Sequence, residues 1–554
     1  MRLPLFNPTS FKIVVSLILG FLTLSTAGQD RDISKLSSGG KLNPLQANMD
    51  IRHYTLSLSI DISKESIKGF TDVDVLLAKT TDTLLLDLIN LYEVSSIAVS
   101  GKEQKFSHLD NKLYIYSDKG FQQGRITIRV NYSGQPPVAV KPPWSGGFTW
   151  TKDRSGNPWI AINCQKEGGR VYFPCKDHPS DEPNEGVDMY LTVPDTLVVS
   201  GPGLLQKITK RKKTATYHWK TNYTISNYCV LFNIGKFKVV QKDFTTINNN
   251  VVPIVFYVLE EDVKEADKLI ALKARDTRIL EKYFGEYPWV KEKIGICEVP
   301  NSGMEHQTNI TFQNKFVYTR IGNNDYSDNL FHEYAHEWWA NKVTNKDWAH
   351  MWIQEGIGTY SEALAHYELG GQAAYDKIIS AHRRSIKYKK PMVGGEELSE
   401  DETYAFTDIY TKGSFFMHSL RFVIGDEVFL PTLKKLATDP AYTYDSFVTT
   451  NDVEALFSKA AGKDLKPFFD FYMRTTDVLD FSVKENGYQQ YTIKLNNFFM
   501  PLPLEITTSS GKDRHLIGKE GIKIQSATPP LVDANGYYLK KVTMREWSAL
   551  IALG

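Results

Sequence analysis

Two histidines, His332 and His336, stand four residues apart with Glu333 directly after the first, and a second glutamate, Glu355, follows 19 residues after His336. At that spacing on a helix the two imidazoles lie one turn plus about 40° apart, so both reach one ion. Glu333 is rotated about 100° from His332, which places it beside that ion as a candidate general base for a water molecule. Two neutral imidazoles and one carboxylate suit Zn2+ and leave a fourth position open for water or substrate, so Glu355 is the candidate third ligand of a single zinc ion. Trp338, Trp339, Trp348 and Trp352 crowd the same stretch, which favours a partly buried site over a solvated helix face.

The elements that must position these groups follow from hydrophobic period. In HYTLSLSID, Tyr54, Leu56, Leu58 and Ile60 alternate onto one face, and RITIRVNY repeats this with Ile126, Ile128 and Val130. Such strand-like runs follow a polar linker ending near Pro44, so residues 45–248 are expected to form a β-rich N-terminal domain. From about Val251 the period changes: Leu269, Leu272, Ile279, Leu280 and Tyr283 recur at helical spacing before Pro288, and mostly helical signals run from Asp328 to about Arg474. Residues 249–476 are therefore expected to hold the metal site. Residues 477–554 return to short strands with turns such as Asn535-Gly536. The fold class is multidomain α+β.

Composition bounds the function. A chain of 554 residues, 42% hydrophobic and 12% aromatic, is globular and long enough for about three to four domains. Its 65 basic and 64 acidic residues give no field that would draw nucleic acid or an anionic membrane. Arg2 and Lys12 precede an apolar run from Ile13 to Leu24 and then small residues through Gly28, the pattern of a secretory signal peptide over residues 1–28 and hence of an exported, periplasmic or secreted protein. A retained anchor is the rival, although the run is shorter than the ~20 residues a spanning helix needs. Cys164, Cys175, Cys229 and Cys297 match no zinc knuckle and leave open either no disulfide or one.

His-Glu-x-x-His followed by the glutamate of WIQEGIGTYSE resembles the aminopeptidase N family of zinc metallopeptidases, which includes the leukotriene hydrolases. The resemblance extends over most of the chain. It implies a β-rich first domain, a thermolysin-like catalytic domain and a small C-terminal β-sandwich, in a form without the helical domain that covers the site in larger members, and so an open cleft. SGMEH resembles the family's Gly-x-Met-Glu-Asn motif, which implies that Gly303, Met304 and Glu305 bind substrate and that Glu305 holds its α-ammonium. His306 stands where that motif has Asn. FTDIYTKGSFF matches Tyr410 to the tyrosine that donates to the transition state, and NCQKEGGR matches Gln165 to a residue that helps bind the amine, with Glu167 the competing contact. His350 occupies a place commonly acidic in the family and is expected to alter hydrogen bonding around the metal.

These readings imply a zinc-dependent aminopeptidase acting on peptides with a free N-terminus, with Glu333 as base and Tyr410 as oxyanion donor. An epoxide hydrolase on the same zinc site and a non-catalytic peptide-binding protein are the alternatives.

Overall fold

The computed structural model describes residues 33–313, 316–404 and 408–545; the expected export signal, 1–28, lies outside them. Among the described residues no helix is long and apolar enough to cross a membrane.

The alternation read from the sequence does form strands. Tyr54, Leu56, Leu58 and Ile60 lie on the buried face of the strand Met49–Asp61. This strand pairs antiparallel with Ser66–Leu77 and parallel with Val187–Pro194 at the centre of an eight-stranded sheet. A three-stranded sheet (Thr81–Asp87, Lys112–Phe121, Lys105–Leu109) and a four-stranded one (Val198–Ser200, Asn233–Gly235, Pro158–Asn163, Gly147–Lys152) complete the β-rich part. The one α-helix described before residue 237 is α1 (Pro44–Ala47), a single turn capped by the Asn43 side chain.

The boundary expected at 248–249 falls elsewhere. Phe237–Thr245 and Val251–Leu259 form a hairpin across that point, and the second strand continues in parallel pairing to Ile294–Val299 and then Ile310–Gln313. One sheet thus starts before the change of period, because the helical pattern begins only at α2 (Ala266–Phe284). All six residues of Ile294–Val299 are buried, as befits a parallel strand covered on both faces.

The helical part follows: α3 (Asp328–Ala335), α4 (Trp352–Ser385), α5 (Glu400–Tyr404), α6 (Asp408–Ile424), α7 (Asp426–Leu436), α8 (Thr450–Ala461) and α9 (Lys466–Arg474). Within α4 the backbone breaks at Gly371, where φ is +70°. Beyond α9, four- and three-stranded sheets occupy Leu479–Arg545. All four cysteines are free, buried thiols, so no disulfide contributes.

Residues 33–43 are not the free linker that their polarity suggested. Ser38 N donates to Lys166 O (2.7 Å), Glu400 N to Ser38 O (3.0 Å) and Gly40 N to Leu398 O (3.1 Å), so this segment ties the β-rich part to α5. Main-chain pairing of this kind leaves no side-chain pattern to read.

Two glycines set how closely α4 and α6 cross. A Cβ on Gly356 would sit 2.8 Å from Gly413 Cα, and one on Gly413 would sit 2.7 Å from Gly356 Cα. Replacing Gly413 with Val should therefore push the helices apart and cost about 1–3 kcal/mol through overpacking. The expected readouts are a lower melting temperature and reduced zinc content, since Glu355 adjoins the contact; a parental value for both would show that the crossing tolerates expansion.

Candidate active site

His332 and Glu333 lie on α3, and His336 caps its C-terminus, still in helical conformation (φ −64°, ψ −14°). His332 Nδ1 lies 2.7 Å from Glu362 Oε1, and His336 Nδ1 lies 2.7 Å from the Trp339 carbonyl oxygen. A carbonyl only accepts, and an ionised carboxylate only accepts, so both Nδ1 atoms carry hydrogen and both Nε2 lone pairs are left to face inward. The Nε2 atoms are 3.2 Å apart and lie 3.3 and 3.4 Å from Glu355 Oε2, which the first turn of α4 brings opposite.

Donors about 2.0–2.2 Å from a tetrahedral zinc would be separated by roughly 3.3–3.6 Å, close to these distances. Glu355 Oε2 is buried without a hydrogen-bond donor, and two facing lone pairs require a cation between them. His332, His336 and Glu355 therefore fit one Zn2+.

A cleft of about 740 Å³ opens over these donors and is also lined by Gln165, Gly303, Met304, Glu305, Glu333 and Tyr410, so the residues assigned from the sequence as metal ligands, base, oxyanion donor and substrate contacts converge on it. Asn329, one turn earlier on α3, donates through Nδ2 to Glu333 Oε1 (2.9 Å). Burial pushes the Glu333 carboxyl up to about 7, with the facing His332 pulling it down.

Glu305 is 3% exposed, and its Oε1 accepts from Gln165 Nε2 and from the Tyr228 hydroxyl, both at 2.8 Å. Burial raises its pKa while His336 opposes the rise. Gln165, not Glu167, is the residue at this point, because both Glu167 oxygens accept from Gly146 N instead. Gly303 has φ +25°, and a Cβ there would lie 2.2 Å from the Thr311 carbonyl oxygen. This close approach lets Thr311 N donate to Met304 O (3.0 Å) and pins the segment to the edge strand. His306 turns its Nδ1 to Thr311 Oγ1 (3.3 Å), and burial pushes its pKa down to about 3, so it is a neutral residue beneath the edge.

Tyr404 OH donates to Glu355 Oε1 (2.6 Å), and Tyr410 OH donates to Tyr404 OH (3.3 Å) with its ring near that of His332. His350 does not act on the metal donors as expected. Its Nδ1 pairs with Thr450 Oγ1 (3.0 Å) at the start of α8.

Sequence reasoning missed four contributors: Tyr228, Asn329, Glu362 and the Tyr404 bond to Glu355. Two had a signal. Asn329 precedes Glu333 by one turn, and Glu362 follows Glu355 by seven residues, two turns along the same face. Tyr228 and Tyr404 come from segments that no local period connects to the metal.

A profile of the peptidase family M1 domain matches residues 272–472, and one of the M1 N-terminal domain matches 51–229. The chain belongs to peptidase family M1. The family and the donor geometry together make the His-His-Glu cluster its zinc site. Among curated relatives it is 21% identical over 527 residues to tricorn protease-interacting factor F2 of Thermoplasma acidophilum, covering 89% of this chain and 62% of that protein. It is 22% identical over 457 residues to human endoplasmic reticulum aminopeptidase 1, covering 76% and 47%. The chain thus spans less than two thirds of the length of these relatives. Among solved structures it resembles a glutamate-to-alanine variant of an M1 zinc metallopeptidase from Deinococcus radiodurans bound to a Tyr-Ser-Ala substrate, with TM-score 0.64 and 21% identity over 78% of this chain and 95% of the other.

Because Glu362 fixes the His332 ring, Glu362→Ala should weaken zinc binding by about 10- to 100-fold. Competition with a chromogenic chelator measures this, and unchanged affinity would remove Glu362 from the metal centre.

Proposed function

We propose that this protein is a zinc-dependent aminopeptidase that hydrolyses the first peptide bond of peptides with a free N-terminus. The observation that carries this reading is Glu305: a buried carboxylate sharing the cleft with the metal donors, hydrogen-bonded at Oε1 by the neutral groups of Gln165 and Tyr228 and paired with no lysine or arginine among the described residues. Its missing counter-charge is a cation, and an α-ammonium supplies one at a fixed distance from the first carbonyl.

Zinc, when bound by His332, His336 and Glu355, would supply Lewis acidity toward the carbonyl and the attacking water. Glu333, with Oε1 steadied by Asn329, takes the proton from that water and passes it to the leaving amine nitrogen. Tyr410 gives its hydroxyl hydrogen bond to the developing oxyanion, exchanging the neutral Tyr404 acceptor for a charged one. Tyr404 stays on Glu355 and holds that ligand's orientation. Gly303 and Met304 form the edge along which the peptide lies. We read the two C-terminal sheets as one small β-sandwich bracing α6, where Ser419 Oγ donates to Tyr537 O (2.7 Å). Residues 1–28 are assigned as an export signal on their sequence alone.

Glu333→Gln should retain zinc by metal analysis while losing turnover of amino-acid anilides; retained turnover would exclude it as the base. Acetylating the substrate amine should reduce cleavage to background, and equal cleavage of blocked and free peptides would make the enzyme an endopeptidase. Tyr410→Phe should lower kcat by roughly a hundredfold to a thousandfold with KM nearly unchanged. A parental kcat in that variant would exclude Tyr410 as the oxyanion donor.

A further inference from the structure

Two carboxylates of the cleft, Glu400 and Asp401, serve neither the metal nor the ammonium site, and Asp401 is paired with Lys166. Glu400 lines the cavity, is 6% exposed, and has no hydrogen-bond or ion-pair partner for its side chain among the described residues. Its backbone is fixed by the donation from Glu400 N to Ser38 O (3.0 Å). Lys166, the cation beside it, is already committed, since its Nζ lies 3.0 Å from both Asp401 Oδ1 and Ser34 O. Burial, with Asp401 and Glu167 nearby, pushes the Glu400 carboxyl up to about 8, as for an acid that lacks its counter-charge.

Its position relative to the substrate follows from α5. Glu400 begins this helix and Tyr404 ends it, so the two side chains are one turn apart on the same face. Tyr404 OH donates to Glu355 Oε1 (2.6 Å) and lies 3.4 Å from Gln165 Oε1, the residue that holds Glu305. Glu400 therefore stands one helical turn beyond the point where the substrate's first residue is gripped. The first side chain branches from the carbon that carries the ammonium, and a short apolar one ends before that turn is crossed. A lysine or arginine has an apolar stem to span it and a charged head to meet a carboxylate. The wider lining favours the same choice, with six carboxylates against two lysines, Lys141 and Lys166.

We infer that Glu400 is a specificity-determining residue that selects peptides with arginine or lysine at the N-terminus. This rests on the aminopeptidase reading and deepens it. The cationic head supplies the donors that the Glu400 carboxylate lacks, in a site already largely out of water, where a charge-assisted pair counts most.

The test compares arginyl, lysyl, leucyl and methionyl coumarin amides on the zinc-loaded enzyme, with calorimetric binding of Arg-Ser-Ala and Leu-Ser-Ala tripeptides to the Glu333→Gln variant as a readout that needs no turnover. The parent should favour arginyl and lysyl over leucyl substrates by about tenfold to a hundredfold in kcat/KM. Adding Glu400→Gln should erase that preference, chiefly through KM, and Glu400→Lys should reverse it. Equal rates and equal binding for basic and apolar first residues would overturn the inference while leaving the aminopeptidase reading intact. A uniform loss across all four amides in Glu400→Gln would also overturn it, because Glu400 would then shape the cleft without reading the side chain. A chain that cuts no amide yet binds the arginyl tripeptide more tightly than the leucyl one would support the inference and sink the aminopeptidase reading instead.

Discussion

Like charge held out of water is the constraint on which this structure turns. Glu305, Glu333, Glu337 and Glu355 are all buried in or under one cleft, and among the described residues none of them pairs with a lysine or an arginine. Each is instead supported by neutral donors, aimed at one oxygen in three of them: Gln165 and Tyr228 for Glu305, Asn329 for Glu333, Tyr404 for Glu355; only Glu337, beneath the cleft, is met at both oxygens. Neutral donors lower the cost of burying a carboxylate but do not cancel its charge. The remaining attraction is left for a metal ion at one end of the cleft and an ammonium at the other. A protein that had neutralised these glutamates with its own guanidinium groups would be better satisfied alone and a poorer host for both.

Glu337 shows how the floor of the cleft is kept rigid. Its carboxylate accepts from Trp289 Nε1 (2.6 Å), Thr308 N (3.0 Å), Asn341 Nδ2 (3.2 Å) and Tyr287 OH (3.3 Å), gathering four donors from three chain segments around the residue that follows His336. Asn341 also donates to Glu305 O (2.8 Å). The ammonium site and the metal-binding turn therefore share one hydrogen-bonded base, which holds their separation constant.

What could be read in advance divides along the same physical line. His332, Glu333, His336 and Glu355 were legible because a helix converts spacing into direction. The strand faces from Tyr54 to Ile60 were legible because alternation does the same for a sheet. Glu305, Gln165 and Tyr410 needed the family resemblance, since single residues on an edge, a loop and another helix carry no period. Tyr228, also outside any period, stayed hidden. The boundary at 248–249 failed because Val251–Leu259 is a strand that precedes its helix, and so the composition changed later than the sheet. His350 was misread because its place in the family's pattern, commonly acidic, suggested a part in the hydrogen bonding around the metal, whereas its ring pairs with Thr450 at the start of α8.

The tie formed by residues 33–43 has a different kind of consequence. It joins the β-rich wall to the α5 wall largely through amide and carbonyl groups, which every amino acid except proline offers alike. Side-chain identity matters at a few points of it, such as Ser37, whose Oγ accepts from Asp401 N (2.9 Å), Gly39, where a Cβ would meet the Trp348 ring, and the Asn43 cap; the remaining side chains can drift without loosening the two walls. A single proline placed at a donating position, such as Ser38 or Gly40, is the change it tolerates least. In a lineage of such proteins most of this stretch would vary in residue identity while its length stayed fixed, since an inserted or deleted residue shifts every donor off its acceptor.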